Sequence, residues 1–141
     1  MSYGRVGGIT PTDGVFAAAR STSQGYFDKA DPTNYEFNFS PRLRQLFEKK
    51  DFGRWGENGI LYVNFLTDND ITGGNSGSPV LNADGHIIGL AFDGNWESLA
   101  GDIYYKDGYN KAVSVDIRYV MWVIEKYANA GYLLEEMTFA K

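Results

Sequence analysis

Alternating apolar and polar residues in the middle of the chain predict a β-strand. Between Ile60 and Leu66, the apolar residues Leu61, Val63 and Phe65 fall on one face, whereas Tyr62 and Asn64 fall on the other. A period of two is typical of a strand with one buried face. The segment therefore predicts a sheet whose core lies on the side of the first three residues.

A second apolar region predicts a β-hairpin and a further strand. Val80-Leu81 and the run from His86 to Phe92 flank the turn residues Asn82-Ala83-Asp84-Gly85. Asparagine, aspartate and glycine favour tight turns, so these two runs are expected to pair. After a glycine- and aromatic-rich loop from Gly94 to Asn110, the segment from Ala112 to Val115 predicts the next strand.

Helices are predicted on either side of these strands. Ser40 followed by Pro41 is typical of a helix start, and that short helix is expected to end near Gly53. Asp116 is expected to cap a second helix, with Gly131 at its C-terminal cap. The apolar faces consist of Leu43, Leu46 and Phe47 in the first helix and of Val120, Val123, Ile124 and Tyr127 in the second.

The first part of the chain shows a weaker pattern. Residues 2–9 resemble a glycine-rich strand, and a polar tract from Thr10 to Asn38 follows. Turn signals at Thr12-Asp13-Gly14 and Asp31-Pro32-Thr33-Asn34 predict an irregular segment. Such a long irregular stretch is unusual inside a self-contained domain, so it is expected to cover neighbouring structure.

Composition and charge narrow the class of protein. With 141 residues, 43% of them hydrophobic, the chain is long enough for the core of one globular domain. The net charge of -5 and the absence of a basic stripe argue against a nucleic-acid partner. No apolar run approaches the roughly 20 residues that cross a bilayer, so we expect no membrane span.

The residues available for chemistry are few. The chain has no cysteine and one histidine, His86, which excludes disulfides and makes a zinc site improbable. We therefore expect no metal and no cofactor. The N-terminus has no apolar leader, so the chain is expected either to be cytoplasmic or to be cut from a longer protein.

The run Gly73-Gly74-Asn75-Ser76-Gly77-Ser78-Pro79-Val80 is the most informative motif. A serine between glycines that leads into an apolar strand is how chymotrypsin-like proteases present their nucleophile, here Ser76. The backbone N–H groups of Gly74 and Ser76 would then form an oxyanion hole. His86 lies only ten residues away across the predicted hairpin, so we interpret it as an exposed strand residue rather than the general base.

Two other interpretations of the motif are weaker. The run could be only a polar turn, since glycine, asparagine, serine and proline are ordinary turn residues. It could also be the nucleophile elbow of an α/β-hydrolase, but that motif needs a helix after the serine and a histidine late in the chain. The strands on both sides of the motif favour the chymotrypsin-like arrangement.

Several motifs together resemble a known family. The run from Phe65 to Val80, the segment from Gly89 to Trp96 and the segment from Val115 to Val120 closely resemble the bacterial dipeptidyl-peptidases of the seven and eleven type. The likeness begins at Ser2-Tyr3-Gly4 and ends at Glu136-Met137-Thr138, so it covers nearly the whole chain. The chain resembles only the C-terminal portion of these serine exopeptidases.

The resemblance implies a fold and a setting. The family has a chymotrypsin-like double β-barrel with an inserted helical domain, so the chain would be the C-terminal β-barrel half, mostly β with minor α. The N-terminal barrel and helical domain of the same polypeptide, with the triad histidine and aspartate, would lie outside it. The parent enzyme would be periplasmic or at the cell surface, homodimeric, and active on peptide substrates. The expected division is 1–58 for a strand, irregular segment and short helix, 59–116 for the barrel strands with the nucleophile, and 117–130 for the C-terminal helix.

The resemblance also implies roles for individual residues. Ser76 would be the nucleophile, with Gly74 in the oxyanion hole, and Asp93 would bind the free α-amino group of the substrate. Gly94 stands where the acidic-substrate members carry arginine, which implies a preference for apolar residues before the cleaved bond. Without the resemblance, Asp93 would be interpreted as a solvated turn residue.

Three neighbouring residues are assigned separately. Phe92 and Trp96 could line the substrate cleft, although aromatic residues at such positions more often belong to a core. Asp70 lies, by spacing alone, near the position of the specificity aspartate of trypsin. We set that role aside because loop lengths before the nucleophile differ and the resemblance places specificity at Gly94.

The resulting hypothesis is a fragment of a serine dipeptidyl-peptidase that forms an acyl-enzyme on Ser76. The isolated chain is expected to be inactive, because it lacks the triad histidine and aspartate. The main alternative of another class is a non-catalytic peptide-binding or interaction module with a trypsin-like barrel. A trypsin-like endopeptidase half is the alternative among enzymes.

Overall fold

The computed structural model of the chain describes residues 2–98 and 108–140. Within that part, seven strands form two sheets. The strands are β1 (Ile9–Thr12), β2 (Val15–Ala17), β3 (Arg20–Thr22), β4 (Tyr62–Thr67), β5 (Pro79–Leu81), β6 (Ile87–Gly94) and β7 (Ala112–Asp116). The predicted sheet-based fold with minor helical content is therefore confirmed.

Short helices complete the described chain. They are α1 (Gln24–Asp28), α2 (Pro41–Glu48) and α3 (Ile117–Trp122), a π-helix at Val123–Tyr127, and 3-10 turns at Gly53–Trp55, Trp96–Ser98 and Gly131–Glu136. No helix in residues 2–98 and 108–140 is long and apolar enough to cross a membrane. Much of the loop predicted between Gly94 and Asn110 lies outside the described residues.

The chain divides into two compact units. The first consists of Met1–Arg20 and Asn64–Ile117, and the second of Ser21–Val63 and Arg118–Lys141. The first unit contains the predicted serine motif. The second contains helices α1 and α2 and the C-terminal helical segment.

The beginning of the first unit is more regular than its sequence predicts. The predicted strand over residues 2–9 is reduced to a bridge between Val6 and Thr67, and β1 begins at Ile9. β1 and β2 then form a hairpin with Thr12 opposite Val15. Gly14 makes that turn possible with a φ of 76°, which other residues rarely adopt. The signal at Thr12-Asp13-Gly14 correctly predicted the turn. The short strands β1 and β2 were not predicted, because most of their residues lie in the polar N-terminal tract.

The larger sheet has the strand order β3-β4-β7-β6-β5. The pairs β4 with β7, β7 with β6 and β6 with β5 are antiparallel. In the described residues this sheet is open, because the three-residue strands β3 and β5 stand at opposite ends of the order. The expected barrel half is thus not observed as a closed barrel, because β3 and β5 are not paired with each other in the described residues.

Phe65 and Gly89 fix the packing in the middle of this sheet. Phe65 on β4 is buried, as the alternating pattern predicts. Gly89 on β6 lies under its ring, where an added Cβ would meet the ring and the Val115 carbonyl oxygen at 2.6 Å each. Glycine is needed at this position because the aromatic ring and a backbone oxygen occupy the side-chain space.

The predicted hairpin of β5 and β6 forms around its asparagine. The Asn82 side-chain oxygen accepts hydrogen bonds from the N–H groups of Asp84, at 3.0 Å, and His86, at 2.9 Å. β6 runs further than predicted, to Gly94, and contains a bulge. Its Ala91 pairs with Ser114 and its Asp93 with Val113, so Phe92 is one extra residue with no partner across the ladder.

Helix α2 of the second unit begins as predicted. The Ser40 hydroxyl accepts a hydrogen bond from the Leu43 N–H at 3.1 Å, and Pro41 occupies the first turn. The helix ends at Glu48, before the expected Gly53, because Lys50 turns the chain with a φ of 50°. The buried ring of Phe47 stacks on that of Trp122 at 5.1 Å between centroids.

The C-terminal segment of the second unit is helical in two parts. α3 ends at Trp122, and a π-helix continues it to Tyr127. Asn129, with a φ of 54°, takes the left-handed conformation at its end. The expected C-terminal cap at Gly131 is therefore wrong: Gly131 instead begins a 3-10 turn.

Candidate active site

Asn75 organises the loop that carries the serine motif. Its side-chain oxygen accepts from the Thr72 N–H at 2.8 Å, and its own N–H donates to the Thr72 carbonyl at 3.1 Å. The Ser78 N–H then donates to the Asn75 carbonyl at 2.9 Å. The loop from Thr72 to Ser78 is thus a closed turn rather than an extended linker.

Hydrogen bonds attach this turn to β6. The Gly77 N–H donates to the Ala91 carbonyl at 2.7 Å, and the Ala91 N–H donates to the Ser78 carbonyl at 2.8 Å. Between these contacts, the exposed Ser76 donates its hydroxyl to the Phe92 carbonyl at 3.1 Å. The hydroxyl is therefore held beside the bulged end of β6.

Two backbone N–H groups in the turn around Ser76 differ from their neighbours in their hydrogen bonding. Gly74 has a φ of 97° and Gly77 one of 85°, so the turn depends on glycine at both positions. The N–H groups of Asn75, Gly77 and Ser78 donate to backbone carbonyls. Those of Gly74 and Ser76 have no backbone acceptor among residues 2–98 and 108–140. These two groups can donate to an oxygen that develops negative charge next to the serine.

A cavity of about 220 Å³ lies beside Ser76. Its wall includes Phe92, Asp93 and Gly94 from the end of β6. The structure thus brings together four of the five predicted site residues, whereas Gly74 is outside the lining. These four residues are separated by up to eighteen positions in the sequence, and the hydrogen bonds between the turn and β6 account for their proximity.

Asp93 and Phe92 are open to ligands on the cavity side. Asp93 is exposed, and one of its carboxylate oxygens accepts from the Gly94 N–H at 2.8 Å. Phe92 is 61% exposed, so it is not a core residue of this chain. Because Phe92 is the extra residue of the bulge, the alternation of side chains along β6 shifts by one position directly before Asp93.

Asn95 supports the wall next to Gly94, and its role could not be deduced from the sequence. Its side-chain amide donates to the Tyr109 carbonyl at 2.8 Å and accepts from the Lys111 N–H at 2.8 Å. Its backbone N–H donates to the Lys111 carbonyl at 2.9 Å. The sequence Asp-Gly-Asn indicates only a turn, and its partners lie fourteen and sixteen residues away.

Charged residues of both signs line the cavity. Asp70, whose role in specificity was set aside on loop length, is exposed on the wall with Ser76. Lys111, which the sequence analysis did not single out, is 6% exposed and also contributes to the lining. The only signal for Lys111 was its place directly before an apolar strand.

The remaining candidates lie elsewhere or are absent. His86 is exposed, lies directly before β6 and does not line the cavity. Its predicted exposure is confirmed, but the strand begins one residue later than predicted, at Ile87. Trp96 is 82% exposed on the 3-10 turn after β6 and is also outside the lining. Among the described residues, no group of three or more acidic or histidine side chains could hold a metal ion.

A glycine-flanked serine, two N–H groups without a backbone acceptor in the described residues and a cavity thus lie together in the first unit. The sequence profile of the peptidase S46 family matches residues 1–139, so the chain belongs to that family. The resemblance to bacterial dipeptidyl-peptidases is therefore confirmed at the level of the family.

Individual relatives are similar over the full chain. The dipeptidyl-peptidase 7 of Porphyromonas endodontalis is 49% identical over 141 residues, which is 100% of this chain and 17% of the relative. That of Phocaeicola vulgatus is 49% identical over 142 residues, or 20% of the relative. The Asp/Glu-specific dipeptidyl-peptidase of Porphyromonas gingivalis is 47% identical over 138 residues, or 97% of this chain and 19% of the relative.

A solved structure confirms the local fold. The crystal structure of Porphyromonas endodontalis DPP11 in complex with the dipeptide Arg-Glu matches with a TM-score of 0.93 and 43% sequence identity. The match covers 96% of this chain and 20% of the DPP11 chain. The chain thus spans about a fifth of the length of the relatives that it matches.

Proposed function

We propose that the chain is the C-terminal part of a serine dipeptidyl-peptidase in which Ser76 is the nucleophile. The observation that carries the proposal is the position of Ser76 on the cavity wall, beside two N–H groups with no backbone acceptor in the described residues. A serine hydroxyl alone is a weak nucleophile, so it needs a base and an oxyanion hole. This chain provides the oxyanion hole, and the base would come from the rest of the parent enzyme.

The proposed reaction proceeds through an acyl-enzyme. A histidine outside this chain would take the Ser76 proton as the oxygen attacks the carbonyl of the second peptide bond. The N–H groups of Gly74 and Ser76 would hold the oxyanion, the amine would leave with the proton, and water would hydrolyse the ester. Before the attack, the Ser76 hydroxyl must turn from its present hydrogen-bond acceptor, the Phe92 carbonyl, to the histidine.

Asp93 would bind the substrate's N-terminus. By holding the α-amino group, it would place the second peptide bond of the substrate at Ser76. Its exposed carboxylate lies on the wall that also contains Ser76. A carboxylate at this place can form a charge-assisted hydrogen bond with the substrate's ammonium group. Peptides that are blocked at the N-terminus would lose that contact. The resulting requirement for a free N-terminus would make the enzyme an exopeptidase.

Gly94 supports a preference for apolar residues before the cleaved bond. It leaves its part of the wall without a side chain or charge. In the acidic-substrate members of the family that the chain resembles, an arginine would stand there, whereas this chain has glycine. The apolar preference therefore rests on Gly94 alone.

The setting of the parent enzyme belongs to the same proposal. We expect a periplasmic or cell-surface homodimer whose N-terminal chymotrypsin-like barrel provides the histidine and aspartate. The open sheet of this chain would then be one part of a double-barrel catalytic domain. Its substrates would be peptides with a free N-terminus.

Active-site labelling tests the nucleophile. A full-length peptidase carrying this chain should be labelled by a serine-directed fluorophosphonate, and Ser76→Ala should abolish the labelling. Ser78→Ala is the matched control, because Ser78 is in the same turn and its backbone N–H and carbonyl groups bind it to Asn75 and Ala91. Labelling should persist in that control.

Two outcomes would contradict the proposal. Labelling that survives Ser76→Ala would show another nucleophile. An intact full-length protein that is never labelled but binds peptides would instead favour the non-catalytic binding module.

A further inference from the structure

The 3-10 turn after β6 restricts what can stand at the cavity wall. A Cβ placed on Gly94 would lie 2.5 Å from the Ser98 hydroxyl oxygen and 3.7 Å from the Ser98 Cβ. The first distance is a clash, and the second is an ordinary van der Waals contact. The backbone of Gly94 is outside the left-handed region, so the obstacle to a side chain is the Ser98 oxygen and not backbone strain.

The Ser98 hydroxyl is held in this position. It donates to the Asn95 carbonyl at 2.7 Å, and the Ser98 N–H donates to the same carbonyl at 3.0 Å. Asn95 is itself bound through its side chain to Tyr109 and Lys111. Moving the hydroxyl away from Gly94 would break one hydrogen bond in a turn that is braced from both sides.

We propose that Ser98 is a specificity-determining residue, because it lines the cavity and its hydroxyl occupies the space that a side chain at position 94 would enter. The inference rests on the proposed function for the identity of the substrate. Residues 94 and 98 together, rather than glycine at position 94 alone, would determine which substrate side chain the cavity accepts. A cationic side chain at that position would reach the cavity in its proper place only when residue 98 has no hydroxyl.

The test is a specificity cycle in the full-length peptidase. Gly94→Arg, Ser98→Ala and the double variant are compared by kcat/KM for dipeptide substrates with glutamate or leucine before the cleaved bond. A guanidinium in the pocket favours a carboxylate. The double variant should exceed Gly94→Arg in the glutamate-to-leucine ratio by about threefold to tenfold, because the guanidinium can approach the substrate carboxylate more closely when the Ser98 hydroxyl is absent.

Ser98→Thr provides the matched control for this cycle. Threonine keeps a hydroxyl on the same carbon, so Gly94→Arg combined with Ser98→Thr should show no gain over Gly94→Arg alone. Equal ratios for Gly94→Arg with and without Ser98→Ala would overturn the proposal. So would an equal gain from the threonine variant.

A second cycle reads the same contact without enzymatic activity. Gly94→Ala should lower the melting temperature of the full-length protein by more when Ser98 is present than in combination with Ser98→Ala. Additive shifts would overturn the role of Ser98. If fluorophosphonate labelling at Ser76 fails while this coupling is present, the proposed function is wrong but the Ser98 contact stands.

Discussion

Gly74 shows how a single backbone conformation can matter for chemistry. Its φ of 97° lies in the range that favours glycine, its N–H group has no backbone acceptor in the described residues, and an added Cβ would meet no atom within 4 Å. A substitution at this position therefore acts through the backbone angle alone. An L-residue disfavours that angle, so the N–H group would change direction.

We expect Gly74→Ala in the full-length peptidase to lower kcat by about 10²–10³, with a small change in KM, since loss of one oxyanion donor has that effect. Steady-state kinetics on a dipeptide substrate would measure both constants. Gly73→Ala is the matched control, because Gly73 also has open space but no positive φ. Equal losses in both variants would argue against an oxyanion role for Gly74.

The two carboxylates on the cavity wall, Asp93 and Asp70, distinguish the dipeptidyl-peptidase hypothesis from the trypsin-like alternative. Asp93→Asn keeps the shape of the side chain but removes its charge, so binding of a substrate ammonium should weaken. A hydrogen bond to a charged group contributes about 1.5–3 kcal/mol, which corresponds to about tenfold to a hundredfold in kcat/KM. The substrates to compare are a free dipeptide amide and its N-acetylated form.

Asp70→Asn is the control for this experiment, because Asp70 lies on the same cavity wall. It should change the kinetics on free-amine substrates much less than Asp93→Asn. The opposite ranking, together with loss of cleavage after basic residues, would support the trypsin-like alternative instead.

For single residues of the candidate site, the sequence was informative only where a motif existed. Ser76 could be found from its flanking glycines, and Asp93 and Gly94 from the resemblance. Ser98 and Lys111 could not be found, because their place on the cavity wall depends on the turn after β6 and on the hydrogen bonds of Asn95 to both residues. A serine in a short turn and a lysine before a strand have no distinctive pattern in one sequence.

Among the elements, β6 depends most on a single small residue. Gly89→Ala would push a methyl group against the Phe65 ring and the Val115 carbonyl. Overpacking of this kind costs about 1–3 kcal/mol. We expect a matching decrease in the free energy of unfolding, measured by urea denaturation.

Gly25→Ala in α1 serves as the comparison for that measurement, because a Cβ at Gly25 has no atom within 4 Å. It should be neutral or slightly stabilising, since alanine favours a helix. A Gly89→Ala protein as stable as the original would show that β6 can shift to make room.

Element types were predictable and element ends were not. The alternation around Phe65 and the Ser40-Pro41 signal correctly predicted β4 and the start of α2. The widening of the last helix into a π-helix at Val123–Tyr127 has no signal in the periodicity. The bulge at Phe92 was equally hidden, because it depends on the pairing with β7 rather than on local sequence.

For the molecule as a whole, Tyr119 makes stability sensitive to alkaline pH. Burial raises its pKa above the ordinary value of 10.0, and the hydrogen bond of 2.7 Å with the Tyr26 hydroxyl raises it further. Above pH 10 the unfolded chain would release this proton while the folded chain keeps it. The folded state then binds more protons, so the free energy of unfolding falls as the pH rises.

Tyr119→Phe should therefore flatten the decrease in stability above pH 10, although it loses about 1 kcal/mol at neutral pH with the hydrogen bond. Urea denaturation at several pH values would measure both effects. Tyr26→Phe keeps the burial of Tyr119 but removes its partner, so it should give an intermediate slope. A Tyr119→Phe protein with the original slope would exclude this tyrosine as the cause.

The chain's length relative to its relatives explains what the sequence could not predict at this scale. The expected barrel half was inferred from a whole domain, whereas the described residues form an open sheet with short edge strands. Closure of a barrel depends on every strand, and this chain spans 17–20% of the relatives' length in the matches given. Local motifs indicate a site without determining how a sheet closes.

The extra residue in β6, Phe92, has a consequence for which mutations the gene can accept. Because side chains alternate along a strand, removal of one codon at Phe92 would reverse the direction of Asp93 while leaving every other amino acid unchanged. We expect descendants of this gene to accept substitutions at position 92 more readily than a change in the number of residues there.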